Sequence, residues 1–149
     1  MLNERAAGDQ DLFYGAANTT DPNSPINGLD FRQGPEFDGA ISTILLDGAT
    51  FLYLDDPTGN MVLTDYDTHN YVGVATLGAG GYLQWTKAQP STSFPKWSKA
   101  DGALKMVGKE DYIWSHCPLA GYVNRTVALS EEVPEGCERL NQINVYATD

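Results

Sequence analysis

The chain is poor in histidine, cysteine and positive charge. Its 149 residues include two His, two Cys and nine Lys plus Arg against twenty Asp plus Glu, for a formal net charge of −11. So large an acidic excess repels phosphate backbones and anionic lipid headgroups, which argues against nucleic acid and membrane surfaces as partners. Solubility is the simplest use of such a surface. With only His69 and His116, a histidine-rich zinc centre lacks ligands. Long apolar runs are missing too, since no window approaches the roughly 18 consecutive apolar residues of a membrane span. Near the N-terminus, Glu4 and Arg5 stand where a signal peptide would carry its apolar core. That leaves two alternatives, a cytosolic protein or one whose leader has been removed.

Helical periodicity is equally scarce. The best candidate, residues 130–140, is interrupted by Pro134 and Gly136. What the chain does have is β-forming residues in short runs, punctuated by fifteen Gly and eight Pro and enriched by eight Tyr,. About ten such runs recur at the spacing of roughly 8–12 residues typical of sandwiches and barrels. The expected fold is all-β: a single domain over residues 1–149, built as an antiparallel β-barrel or β-sandwich of about ten short strands, with a β-trefoil as the alternative. Residues 1–10 are polar and expected to be frayed. Residues 18–39 hold Pro22, Pro25 and Pro35 among repeated Asn, Asp and Gly. They are expected to form a long loop or arm, pinned through Leu29, Phe31 and Phe37.

The strongest local signal lies between Ile41 and Leu54, where two β-rich runs flank Asp47-Gly48. Asp-Gly tolerates positive φ at both positions and so predicts a type I′ hairpin, apolar on both faces and hence central. The same logic predicts a second hairpin at Asp101-Gly102, between Trp97-Ser98 and residues 103–107. Function is expected on the loops around this scaffold, chiefly residues 18–39 and 89–95.

Several constellations invite a chemical reading. Asp65, Asp67, His69 and Asn70 resemble the start of a calcium loop, but Asn70 replaces the required Gly and Thr76 the final Glu, so a solvated turn is expected. Ser115-His116-Cys117 places three reactive groups side by side, yet neighbours on a strand point to opposite faces and cannot converge. Carboxylates are abundant enough for a glycosidase-like pair, but no two are singled out. Trp85, Trp97 and Trp114 could stack on sugar rings, although core packing is the usual role of Trp in apolar strands. Trp97, between Pro95 and the Asp101-Gly102 turn, is the expected exception and the candidate ligand aromatic. Neither a metal nor a cofactor is expected. Cys117 precedes Pro118 and Cys137 follows Gly136, so both sit in turn-like surroundings where either a bridge or two buried thiols would fit. Asn18-Thr19-Thr20 and Asn124-Arg125-Thr126 are sequons that make Asn18 and Asn124 glycosylation candidates in a secreted protein.

Five spaced marks together resemble a known family. They are Phe13-Tyr14-Gly15-Ala16-Ala17, Asp47-Gly48 followed by Phe51-Leu52-Tyr53-Leu54, Trp97-Ser98 leading to Asp101-Gly102-Ala103-Leu104, Cys117-Pro118, and Gly136-Cys137. Over most of its length the chain resembles the small secreted fungal proteins of the phialide cell-wall (PhiA-like) type. Its size also makes it similar to secreted fungal elicitors that provoke a hypersensitive response in plants. Members of the cell-wall type tend to carry additional cysteines, a departure from the two found here. The resemblance implies a secreted, extracellular, non-enzymatic, β-rich protein acting at the cell wall or host interface, and a monomer is expected. Its implied role is a virulence-associated effector or elicitor that recognises a host plant cell-surface or apoplastic component. The alternatives are a cell-wall polysaccharide-binding protein using exposed aromatics and a small carboxylate-dependent hydrolase.

Overall fold

Asp38 and Gly39, with φ of +52° and +84°, adopt the left-handed conformation that a two-residue type I′ turn requires at both central positions,. They join β2 (Asp30–Phe37) to β3 (Ala40–Leu46), with Phe37 opposite Ala40. This is the Asp-Gly hairpin of the first half of the chain, and it corrects the expectation of one at Asp47-Gly48. β3 never pairs with β4 (Leu52–Leu54); its partners are β2 and β7 (Leu83–Thr86). β3 is nonetheless central, and its Ile41, Thr43 and Leu45 are buried. The structure is a computed structural model and describes residues 11–148; the expected fraying of residues 1–10 falls outside them.

The remaining strands are β1 (Phe13–Thr19), β5 (Met61–Thr64), β6 (Tyr71–Leu77), β8 (Trp97–Ser98), β9 (Lys105–Met106), β10 (Ile113–Pro118), β11 (Arg125–Ser130) and β12 (Glu138–Ala147). Hydrogen bonding runs antiparallel through β1, β2, β3, β7, β6, β5 and β4, and returns to β1 where Phe13 faces Leu52. The result is a closed seven-stranded barrel. β12 extends it along β1, with β10 and then β11 beyond, and a bridge from Ala128 to Tyr82 brings this outer ribbon back beside β7. β8 and β9 form the expected hairpin around Asp101-Gly102. A single cluster fills the interior, led by Phe13, Phe31, Leu45, Leu63, Leu83 and Trp85. β5 is buried along its whole length because both its faces are covered,.

Residues 18–39 are not a long loop. β1 continues to Thr19, β2 begins at Asp30, and only a short turn-rich segment separates them, held where the Thr19 amide donates to Asn27 Oδ1 at 3.0 Å and Gly28 donates to Ala17 O at 2.8 Å. The prolines that suggested a loop are accommodated locally. Pro35 sits in a β-bulge where Gln33 faces Thr43 but Glu36 faces Ile41, so its missing N–H interrupts no ladder bond,. Ser42 Oγ donates to Pro35 O at 2.8 Å and secures the bulge.

One turn is built twice. Asp55 and Asp65 each start a six-residue connection ended by Thr-Gly-Asn or Thr-His-Asn. In each, the Asp Oδ2 accepts from the backbone N–H three residues on, at 3.2 and 3.0 Å. The Thr hydroxyl accepts from the following Asn amide at 3.2 Å in both. Gly59 and His69 occupy the equivalent left-handed position, with φ of +76° and +63°. The Asp65 carboxylate that looked like a calcium ligand is the cap of this turn.

Candidate functional site

The disulfide ribbon organises one end of the molecule. Cys117 and Cys137 are bridged, tying the end of β10 to the residue before β12. Cys117 is wholly buried, and Ser115 Oγ lies 3.9 Å from its sulfur on the same face of β10. His116 points the other way, as strand alternation dictates. Arg125 Nε donates to His116 Nδ1 at 3.0 Å, Arg125 Nη2 donates to His116 O at 3.2 Å, and Glu138 Oε1 lies 3.5 Å from Nε2. With Nδ1 accepting, the neutral ring carries its proton on Nε2, facing Glu138.

Burial pushes the His116 pKa below the ordinary imidazole range; the Arg125 charge adds to this and Glu138 opposes it,. The unfolded chain therefore binds this proton more readily than the folded one. Stability from this group is fully present above about pH 6.5 and is lost as pH falls below it. Urea midpoints measured between about pH 7 and 5 are expected to decrease on acidification, and His116→Gln should flatten that slope. A midpoint that rises across the same interval would contradict the assignment.

Beyond the bridge, the chain leaves β10 at Pro118 and turns through residues 119–124 into β11. The Tyr122 amide donates to Leu119 O at 3.0 Å, and Gly121 takes φ of +82°. This turn holds Tyr122 against Phe37, which ends β2 just before the Asp38-Gly39 turn. Their rings meet edge to face with centroids 6.0 Å apart,. Phe37 is 44% exposed, Tyr122 48% and Val123 96%, half of the six exposed large hydrophobics among the described residues. Beside them opens a cleft of about 170 Å³ whose lining includes Phe37, Tyr82, Pro118, Leu119, Ser42 and Thr126. Two tight turns on adjoining strand ends thus present an aromatic, half-open surface on a closed and bridged scaffold. Such a surface can take up a flat apolar group or ring.

The candidates expected from sequence are not brought together. Trp97 is buried at 4% exposure, stacked on Trp114 with ring centroids 6.2 Å apart. It is therefore not a ligand aromatic. The loop of the β8–β9 hairpin docks on β12, where Leu104 N donates to Ile143 O at 3.0 Å, while the Trp97 amide donates to Gly59 O at 2.9 Å. Trp85 and Trp114 are core residues as well. Asn18 lies within β1, half-buried, and its Oδ1 accepts from Asn141 Nδ2 at 2.9 Å. Asn124 ends the 119–124 turn and is half-buried, with Thr126 of the same sequon buried in β11. Residues 89–95 are pinned by the wholly buried Asn60, whose Oδ1 accepts from Ser91 N at 2.7 Å and whose Nδ2 donates to Pro95 O at 3.2 Å.

Among the carboxylates, Asp30 has a raised pKa. Burial is the main cause and Asp47 adds to it, while the hydrogen bond from Gly48 N–H opposes both. It lies at the start of β2, outside the cleft. Among the described residues, no group of three His, Cys, Asp or Glu side chains converges as a metal site would require. The sequence alone makes Phe37 a pin for an arm and does not single out Tyr122. The available signal was the placement of Tyr122 and Val123 between Gly121 and Asn124, apolar side chains at a turn tip that a core would not claim. Comparison with protein-family models, with curated proteins and with solved structures finds no match to this chain.

Proposed function

We propose that the protein is a secreted fungal effector or elicitor that works by surface recognition, binding a host plant cell-surface or apoplastic component through the aromatic surface around Phe37 and Tyr122. The observation that carries this reading is that surface itself: two half-exposed aromatic rings and Val123, set rigidly by a type I′ turn and by a bridged strand end. A disulfide suits an oxidising, extracellular compartment. The uncharged centre formed by Phe37, Tyr122 and Val123 also resembles the anatomy of recognition sites, whose centres are depleted of charge,. The protein is proposed to act as a monomer and without catalysis. Infiltration of purified protein into leaves is expected to induce localised cell death or defence-gene expression. Failure to induce either, at doses where an established elicitor acts, would overturn the reading.

A cell-wall polysaccharide is the second reading. It rests on Phe37, Tyr82 and Tyr122 rather than on Trp97, because the first two line the cleft, Tyr122 packs on Phe37 beside it, and an aromatic face suits the apolar face of a pyranose,. Binding to a neutral cell-wall glycan on an array, together with silent leaves, would favour it over the first.

A further inference from the structure

A second cleft lies at the far end of β10, about 15–20 Å from the aromatic surface at the rise of an extended strand. It has a volume of about 290 Å³ and opens between β9 with its following turn and the start of β12. Core side chains form its floor: Leu104, Trp114 and Leu140, all nearly inaccessible. Its rim carries Lys105, Lys109 and Arg139, with Glu110 and Asp111 beside them.

The grouping of cations stands out in so acidic a chain. Of nine Lys and Arg, Arg5 lies outside the described residues, leaving eight, and three of these line one cleft. Most of the others are already committed. Lys87 pairs with Glu36 at 2.8 Å and Lys99 with Asp11 at 2.9 Å. Arg125 holds His116, and Arg32 sits 4.2 Å above the Tyr66 ring while donating to Asp47 O at 3.2 Å. Lys105, Lys109 and Arg139 have no carboxylate within ion-pair distance among the described residues. Glu110 is turned back on its own loop, its Oε2 accepting from Gly108 N at 3.0 Å; that bond, with a smaller contribution from the nearby Lys105 charge, holds its carboxyl below the usual range. Lys109 Nζ lies 5.4 Å from the Tyr112 ring centroid, which keeps both at the cleft,.

We propose that this cleft binds a small carboxylated sugar. The three cations supply the attraction for a carboxylate, with the planar fork of Arg139 able to grip both oxygens. Tyr112, packed between the core and Lys109, lines the cleft and brings a phenol hydroxyl suited to a sugar hydroxyl,. The Asn141 and Gln142 side chains on the β12 side of the cleft give their NH2 groups to Asn18, Thr19 and Asn144, which leaves their amide oxygens to accept from sugar hydroxyls,. A volume near the lower limit of about 300 Å³ for small-molecule sites matches a ligand of one or two rings rather than a long chain. The residual negative charge of Asp111 and Glu110 on the rim disfavours densely charged anions such as phosphate and leaves a singly charged acid as the better fit.

Isothermal titration with galacturonic acid, galactose and inorganic phosphate tests the assignment, because these share either the ring or the charge but not both. Galacturonic acid is expected to bind saturably, at least about tenfold more tightly than either comparator, and to weaken as salt is raised to about 0.5 M. Combining Lys105→Gln, Lys109→Gln and Arg139→Gln should weaken binding about tenfold or more, with an unchanged melting temperature confirming the fold. Absence of saturable binding, equal affinity for galactose, affinity for phosphate as high as for the acid, or an unaffected triple variant would each overturn the proposal. None of these outcomes depends on Phe37 or Tyr122, so the result is separable from the recognition reading.

Discussion

Trp85→Ala is expected to lower the free energy of unfolding by about 3–5 kcal/mol, the range for removing a wholly buried Trp. Trp85 is 0% exposed and sits on β7 opposite Ile41 of β3 on one side and Ala75 of β6 on the other, so it spans two seams of the barrel. Its Nε1 donates to Thr43 Oγ1 at 2.8 Å, and Thr43 Oγ1 in turn donates to Leu83 O at 3.1 Å. Truncation therefore opens a cavity and strips a partner from a buried hydroxyl. A domain of this size has about 5–15 kcal/mol of stability in total, so a substantial part would go with one side chain. The three tryptophans should rank differently when changed to Phe. Trp85 and Trp114 both lose a buried hydrogen bond, the latter its 3.0 Å bond to Leu104 O. Trp97 Nε1 is buried with no partner, so Trp97→Phe removes no bond and should cost least,. Urea denaturation of the four variants checks the order, and a Trp97→Phe loss exceeding that of Trp85→Phe would contradict it.

Removal of the Cys117–Cys137 bridge should cost about 3 kcal/mol, since it closes a loop with a sequence separation of 20,. At roughly 2–4 °C per kcal/mol for a chain near this length, the melting temperature should fall by about 6–12 °C. The paired change Cys117→Ser and Cys137→Ser should match reduction of the native protein. The barrel itself should survive, because its closure through β1 and β4 lies outside the bridged ribbon. The aromatic surface should loosen, since Pro118 and the 119–124 turn hang from the bridged end of β10. Thermal unfolding that is unchanged by reductant would show that the bridge is not formed in solution.

Most strands were legible in the sequence because they are short, apolar and bounded by Gly, Pro or Asp. The two that were not share a physical cause. In β2 only Phe31 is buried, and the Gly34-Pro35 bulge breaks the alternation that marks a strand. In the first half of β12, Leu140 and Ile143 are both buried although three residues apart, a spacing that imitates a helix,. The pairing with β1 explains it: Asn18 faces Gln142 and Thr19 faces Leu140, so Asn141 is an extra residue that resets the period,. Pairing choice was hidden as well. Asp38-Gly39 and Asp47-Gly48 offer the same turn chemistry, and only the competition between β2 and β4 for the edge of β3 decides between them. The candidate site was less legible still. Phe37 and Tyr122 are 85 residues apart by their numbers and meet only because β11, which follows Tyr122, lies against β3, the hairpin partner of β2, and the burial of Trp97 depends on a hairpin folding inward.

The most direct test of recognition through this surface is the dose-response of leaf cell death for the native protein against a variant carrying Phe37→Ser and Tyr122→Ser. Both changes are at half-exposed positions and should leave the melting temperature within a few degrees of native,. The account predicts that the variant needs at least about tenfold more protein for the same response, the equivalent of about 1.4 kcal/mol of lost binding. Equal potency of the two folded proteins would contradict it.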